Sequence, residues 1–412
     1  MAIEDARTDK TERKPELSVG QRLVVTIEKI AHGGHFIARH LGAVIFVRHA
    51  IPGEQVEIEI TSASSSFNRA DVVNVLTASK DRVSPPCQYA HRSGCGGCDF
   101  QHISLSRQRE LKADVITEQF LRIAKKDLRI KVEEVGGPLG YRTRFGAVTT
   151  RDGALGFRQA RSNKVVPVSN CRILQAEINY QELSNRKWKG DLQVEVSFSS
   201  TGERTIATGY TRDKSPVRTA EGPDVATYKV DGFALEVSQR SFWQSHKLAP
   251  QVLTEAVLKY AQIKSGDHVL DLYGGVGLFT AKFLDLVGES GRIDLVEGSK
   301  SASGDASRNF ANFASVGIHT GDVEKILPRF SKADVIVLDP PREGAGKNVV
   351  SSMVSLQPRS IIYVACDPAA LARDTAYLEG LGYGLAEIRA FDLFPMTQHI
   401  ESVALFQPLK VS

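Results

Sequence analysis

Five cysteines carry most of the chemistry that this sequence offers. Cys366 stands in YVACDPAALARD (363–374), between the β-branched and aromatic run SIIYVA and a segment opening with a proline suited to a first helical turn. A thiol at a strand-to-helix junction faces free backbone N–H groups and the positive end of a helix dipole. Both favour an anion, so its pKa can fall and the thiol become a nucleophile. The plainer alternative is a half-buried, inert cysteine. The other four lie upstream: Cys87, Cys95 and Cys98 form C-x7-C-x2-C, and Cys171 follows in VPVSNCRIL. Four thiolates complete a ligand set that holds either structural zinc or an iron–sulfur cluster, and the spacing does not choose between them. Gly96 and Gly97 suit a loop wrapped tightly round a metal, with N–H groups left to bond sulfur. Four unrelated buried thiols are the competing reading.

A second group is acidic. HVLDLYGGVGLFT reads as a strand ending in Asp271, a glycine-rich turn through Gly275 and Gly277, and a helix start. Glu297 closes RIDLVE, Asp322 follows in HTGDVEK, and Asp339 in VIVLDPPREG. In a doubly wound sheet such strand ends are neighbours, and a carboxylate on the second strand can accept hydrogen bonds from a ribose diol. The turn G-G-V-G is not the dinucleotide fingerprint and no phosphate-binding lysine follows it. A nucleoside without pyrophosphate fits better, and S-adenosylmethionine is the commonest such ligand. Solvated strand-end acids are the alternative for Glu297 and Asp322. The DPP turn at Asp339 also occurs in enzymes that methylate exocyclic amines, a competing chemistry.

Positioning these residues takes several elements. A chain of 412 residues suggests about two to four domains. From Gly20 to about Leu76, five runs of period-2 alternation separated by HGG and IPGE predict a small β-barrel. An amphipathic helix is expected in SLSRQRELKADVITEQFLRIA, and antiparallel hairpins over 141–230, one turning at Asp152-Gly153. From about Phe242 strands and helices alternate, the signature of a doubly wound parallel sheet. The expected division is a flexible tail (1–17), a barrel (18–80), a central domain (81–230) and a catalytic domain (231–412). Residues 81–190 hold 20 Lys and Arg against 11 Asp and Glu, which suits a polyanion-binding surface as well as a merely solvated basic face. The charged leader lacks an apolar centre, and no apolar stretch is long enough to span a bilayer. A cytoplasmic protein without a disulfide framework is the expectation.

The stretch AHGGHFIARHLGAVIFVRHAIPGEQVEIEI resembles the TRAM domain, an OB-like RNA-binding barrel found on RNA-modifying enzymes. With DLYGGVGLFT, LDPPREG, YVACDPAALARD and FDLFPMTQHIESVALF in that order, the chain resembles the RNA uridine-5-methyltransferase family over nearly its whole length. The resemblance implies an α/β Rossmann-like S-adenosylmethionine methyltransferase domain, an N-terminal TRAM barrel, and a mixed α+β central domain with a [4Fe–4S] cluster on Cys87, Cys95, Cys98 and Cys171. Carbon 5 of uracil is a poor nucleophile, so the family adds a thiolate at carbon 6 first. Cys366 matches that nucleophile, and Glu401 the base that later removes the carbon 5 proton. Gln244 and Tyr273 match cofactor contacts, and Asp339 a residue facing pyrimidine and cofactor. The cluster type implies 23S ribosomal RNA as substrate, with the tRNA T-loop uridine as the alternative. Arg142, Arg144 and Arg158 are candidate phosphate contacts. A monomer without membrane partners is expected; methylation of another RNA atom and a non-catalytic RNA-binding protein remain as alternatives. Three features depart from the family: Gly274 stands in place of a cysteine, Leu278 in place of an asparagine that contacts cofactor, and the cysteine spacing is longer than x5.

Overall fold

A computed structural model describes residues 17–64, 66–212 and 217–409. Residues 1–16 of the expected tail lie outside the described residues. The chain divides into two compact units, Met1–Val83 and Ser84–Ser412.

In the first unit the strands Arg22–Ala31, His35–His40, Ala43–Arg48, Gln55–Ser62 and Asn68–Thr77 close into a barrel. The alternation read in the sequence is the alternation of burial: along Ala43–Arg48 every second side chain is buried. Closure leaves the barrel no unpaired edge.

The second unit holds two larger sheets. One is antiparallel, in the order Arg218–Glu221, Arg204–Tyr210, Leu192–Phe198, Arg144–Thr149, Leu155–Arg158, Val165–Pro167. The other has eight strands in the order Val316–Thr320, Arg292–Glu297, His268–Leu272, Val335–Leu338, Ser360–Ala365, Glu401–Pro408, Tyr383–Asp392, Val132–Glu134. All six residues of Ser360–Ala365 are buried, which is why that run lacks alternation. Its Ile361, Ile362 and Val364 are fully buried, each contributing about 1.5–3 kcal/mol. Leu253 and Val257 of helix Ala249–Ala261, with Phe279 and Phe283 of helix Leu278–Val287, share a core cluster with Val269, Val335 and Ile362.

Two features of the eight-stranded sheet lie beyond a simple βα alternation. Glu401–Pro408 runs antiparallel to both its neighbours. Val132–Glu134, from the stretch upstream of the hairpins, adds a parallel outer strand against Ala390–Asp392. Among the described residues no helix is long and apolar enough to cross a membrane.

Candidate active site

Six consecutive strands of the eight-stranded sheet each deliver a polar side chain at or just past one end. In order these are Asp322 after Val316–Thr320, Glu297 at the end of Arg292–Glu297, and Asp271 and Tyr273 at the end of His268–Leu272. Asp339 follows Val335–Leu338, Cys366 follows Ser360–Ala365, and Glu401 begins the antiparallel strand. Parallel strands bring the first five to one carboxyl edge. A strand running the other way begins where they end, so Glu401 reaches the same edge from its amino end, with Ala365 in register with Ser402.

The candidate cofactor side is built around the glycine turn. Tyr273 takes a φ of 56° and Gly277 one of 97°. A Cβ on Gly277 would lie 2.1 Å from the Phe310 ring, so no other residue fits there. Gly275 N donates to Glu297 Oε2 at 2.9 Å and Ser299 N to Oε1 at 2.6 Å, which fixes the carboxylate beside the turn. Asp271 Oδ2 accepts from Thr280 N (3.0 Å) and Thr280 Oγ1 (2.7 Å), while its buried Oδ1 has no partner. Burial outweighs those hydrogen bonds and pushes Asp271 up to about 7. Asp322 is exposed and caps the short helix Val323–Ile326, accepting from Glu324 N at 3.0 Å. An orphaned buried acceptor, a clamped carboxylate and a glycine turn suit a nucleoside cofactor rich in donors.

Gln244 lines a cavity of about 650 Å³ with Trp243, Tyr228 and the turn Ser199–Gly202; none of the strand-end residues lines it. Gly274 is accounted for by packing, since a Cβ there would meet Leu295 Cγ at 2.6 Å. Leu278 belongs to a hydrophobic cluster with Leu295 and Phe310.

On the chemical side, burial and then the carboxyls of Glu401 and Asp339 push the Cys366 thiol up to about 12, against Arg342. This reverses the lowered pKa expected from a helix N-terminus. Asp367 occupies that position itself, its Oδ1 accepting from Ala369 N (3.0 Å) and Ala370 N (2.9 Å), so the free N–H groups serve a carboxylate and not the thiol. Burial and Asp339 raise Glu401 well above the ordinary carboxylate range, again against Arg342. Burial and Asp271 raise Asp339 to about 7. Arg342 is thus the cation that opposes the rise of both Cys366 and Glu401. The sequence reading missed it, although it stands inside the quoted LDPPREG.

Cys87, Cys95, Cys98 and Cys171 line one cavity of about 310 Å³ together with Arg142, Thr397 and His399. Gly97 N lies 3.4 Å from Cys95 Sγ as a donor. Burial pushes Cys98 up to about 12 and Cys171 to about 11, with neighbouring thiols adding to both. Among the described residues no three His, Cys, Asp or Glu side chains are grouped to hold a metal ion. Of the three arginines, Arg144 is committed within the fold: Nη1 donates to Ser241 O (2.8 Å) and Nη2 to Gln239 O (3.3 Å). Arg142 is half-buried, with Nε donating to Arg144 O at 2.8 Å, and Arg158 is exposed.

The mixed sheet, its glycine turn and the carboxylates at its edge define a S-adenosylmethionine-dependent methyltransferase. Comparison with known proteins narrows this. The model of the TRAM domain matches residues 16–73, and that of tRNA (uracil-5-)-methyltransferase matches residues 322–408, the span holding Asp339, Cys366 and Glu401. The model of protein-L-isoaspartate(D-aspartate) O-methyltransferase matches residues 229–348, which include the glycine turn. An RNA methyltransferase of Streptomyces avermitilis is 40% identical, covering 95% of this chain and 99% of its own. The 23S rRNA (uracil(1939)-C(5))-methyltransferase RlmD of Shewanella amazonensis is 30% identical over 94% of this chain and 96% of its own. The solved structure of Pyrococcus abyssi tRNA (uracil-54, C5)-methyltransferase with S-adenosyl-L-homocysteine superimposes with a TM-score of 0.72 at 21% identity, covering 93% of this chain and 99% of that one. The chain belongs to the RNA uracil-5-methyltransferase family and is a S-adenosylmethionine-dependent RNA (uracil-C5)-methyltransferase.

Proposed function

We propose that the protein methylates carbon 5 of a uridine in 23S ribosomal RNA through a covalent adduct between Cys366 and carbon 6. The observation that carries this reading is the antiparallel strand, which sets an acid, Glu401, beside the strand that ends at a thiol, Cys366. Cys366 Sγ adds to carbon 6, and the ring's electron pair moves to the oxygen on carbon 4, making carbon 5 nucleophilic. Bound S-adenosylmethionine supplies the methyl group that carbon 5 accepts. Glu401 then takes the carbon 5 proton, and the carbon 6–sulfur bond breaks to release Cys366. Arg342 favours the ionised forms of both residues. Asp271, Tyr273, Gly275, Gly277, Glu297 and Asp322 hold the cofactor, Gln244 is a further contact proposed from the resemblance alone, and Asp339 faces both ligands. A uridine in folded RNA must be swung out to reach this edge.

The iron–sulfur cluster is the reading that the family resemblance favours for the four cysteines, and their lining of one cavity supports a shared four-thiolate site. Cys87, Cys95, Cys98 and Cys171 would hold it, and it would cross-link the loop at Gly96-Gly97 to the segment at Cys171. Anaerobically purified protein is expected to be brown with about four irons; colourless protein with one zinc would refute the cluster.

Ribosomal RNA is favoured over tRNA by the relative from Shewanella amazonensis and by the cysteine set. Offering purified enzyme both unmodified ribosomal RNA and unmodified tRNA with labelled cofactor, then locating the label by mass spectrometry, tests the assignment. Label confined to tRNA overturns it.

A further inference from the structure

Between the strands Tyr383–Asp392 and Glu401–Pro408 the chain crosses the carboxyl edge in residues 393–400, and Glu401 is the first residue beyond the crossing. Three successive carbonyls of this crossing have donors from the segment that follows the cysteine loop. Lys112 Nζ donates to Phe394 O (3.0 Å) as well as to Asp392 Oδ1 (2.6 Å). Tyr141 Oη donates to Pro395 O (3.0 Å), and Phe100 N to Met396 O (3.0 Å). Gln108, one helical turn before Lys112 on helix Leu105–Gln119, accepts from Met396 N at 2.8 Å. Its Nε2 donates to Phe100 O (3.1 Å) and Ile103 O (2.9 Å).

Gln108, Lys112 and Asp392 are all buried, and Met396 has a φ of 67°, a conformation that a side-chain-bearing residue keeps only where its surroundings over-determine it. Crossing loops ordinarily lie at the surface with solvated carbonyls. Here a buried amide and a buried ammonium replace the solvent. A buried ion pair adds little net stability over an apolar pair of the same volume, so its presence asks for another reason. Thr397 and His399 of the same crossing line the cysteine cavity, so that cavity and the start of the Glu401 strand share one wall.

We propose that Gln108 and Lys112 are positioning residues for methyl transfer, clamping residues 392–396 so that Glu401 enters its strand at a fixed height beside Cys366. Both side chains are buried against the crossing, and neither is among the strand-end residues proposed to meet RNA or cofactor. The inference rests on the reading of Glu401 as the base. In that step the carbon 5 proton passes to Glu401, its C–H electron pair becomes the carbon 5–carbon 6 double bond, and the carbon 6–sulfur pair returns to Cys366. A displaced Glu401 therefore leaves the methylated adduct in place.

The test compares Glu401→Gln, Gln108→Leu and the double variant Lys112→Met/Asp392→Leu in full-length protein. The double variant removes both buried charges together, because removing one alone strands the other. Ordinary RNA and cofactor are supplied, kcat and KM are measured, and protein–RNA adducts are resolved on denaturing gels. The clamp predicts that Gln108→Leu and the double variant lower kcat by about 100-fold, keep KM for cofactor, and accumulate methylated adduct as Glu401→Gln does. Adduct with Glu401→Gln but wild-type turnover in both clamp variants would overturn the clamp and leave the base standing. No adduct with Glu401→Gln would overturn the base, and the clamp with it.

Discussion

Asp271 and Asp294 are both fully buried, on adjacent strands of one sheet, and stand one residue apart in register, so they point to opposite faces. Their surroundings differ completely. Asp294 is saturated: Nε2 of His268 lies 2.8 Å from Oδ2, Nε2 of His319 lies 2.7 Å from Oδ1, and Arg292 grips both oxygens at 2.6 and 2.8 Å. Burial pushes its carboxyl up, but the hydrogen bonds from His268, Arg292 and His319 outweigh burial and hold it well below the usual range. Asp271 has one orphaned oxygen and sits at about 7. The saturated carboxylate ties three strands together and has no capacity left. The under-satisfied one is unstable by itself, which is the state a ligand can relieve.

Exchanging the partners of each should separate stability from function. Asp294→Ala leaves the exposed Arg292 and two part-exposed histidines without their acceptor and should cost about 1–3 kcal/mol of unfolding free energy. Turnover per folded molecule should stay at wild type. The sign with pH follows from the depressed carboxyl: its contribution is present above the unfolded value and is lost as pH falls through the folded one. The gap between Asp294→Ala and wild type in chemical denaturation should therefore shrink in acid. Equal loss at every pH would break the comparison.

Asp271→Asn should act the other way. Cofactor affinity should fall by about 10–100-fold, the value of a hydrogen bond to a charged group, as read by calorimetry. A carboxyl raised to about 7 weighs against folding above that pH, and the burden lifts as pH falls towards the unfolded value. The melting temperature of Asp271→Asn should exceed wild type at pH 8 and approach it at pH 5.

Arg342→Gln sharpens the picture on the chemical side. In the proposed mechanism Cys366 and Glu401 lose protons to act, and both are raised, so kcat/KM should climb with pH and still be climbing on the alkaline side. Removing the opposing cation should move that climb upward by about one pH unit. The smallest effect is expected at the exposed Arg158. Alanine there should lower the salt dependence of RNA binding by about one unit of slope without changing the uridine chosen, whereas Arg144→Ala should act through folding because its guanidinium holds Ser241 and Gln239.

Where the candidate residues fall was legible because βα alternation fixes strand ends: Asp271, Glu297, Asp322, Asp339 and Cys366 could each be placed at such an end from local pattern. Glu401 could not. Its place depends on an antiparallel strand inserted between Ser360–Ala365 and Tyr383–Asp392, a pairing that no local pattern encodes, and only resemblance singled it out. The direction of the Cys366 shift was misread for a similar reason. Asp367 was visible as the next residue, but its carboxylate capping the helix, and the carboxyls converging from two other strands, are tertiary facts. Arg144 looked like a phosphate ligand on composition, while its partners lie nearly a hundred residues away. The clamp from Gln108 and Lys112 joins residues almost three hundred positions apart.

The central claim is that Cys366 forms a covalent bond to carbon 6 of the uridine it methylates. RNA in which uridine is replaced by 5-fluorouridine tests it most directly, since fluorine cannot leave as a proton and release of the thiol is blocked. With cofactor present, wild-type protein should give a slow-migrating protein–RNA band on a denaturing gel, and mass spectrometry should place the cross-link on Cys366. Cys366→Ala should give none while still binding RNA and cofactor. A covalent band from Cys366→Ala, or substantial methylation of ordinary RNA by that variant, would contradict the account.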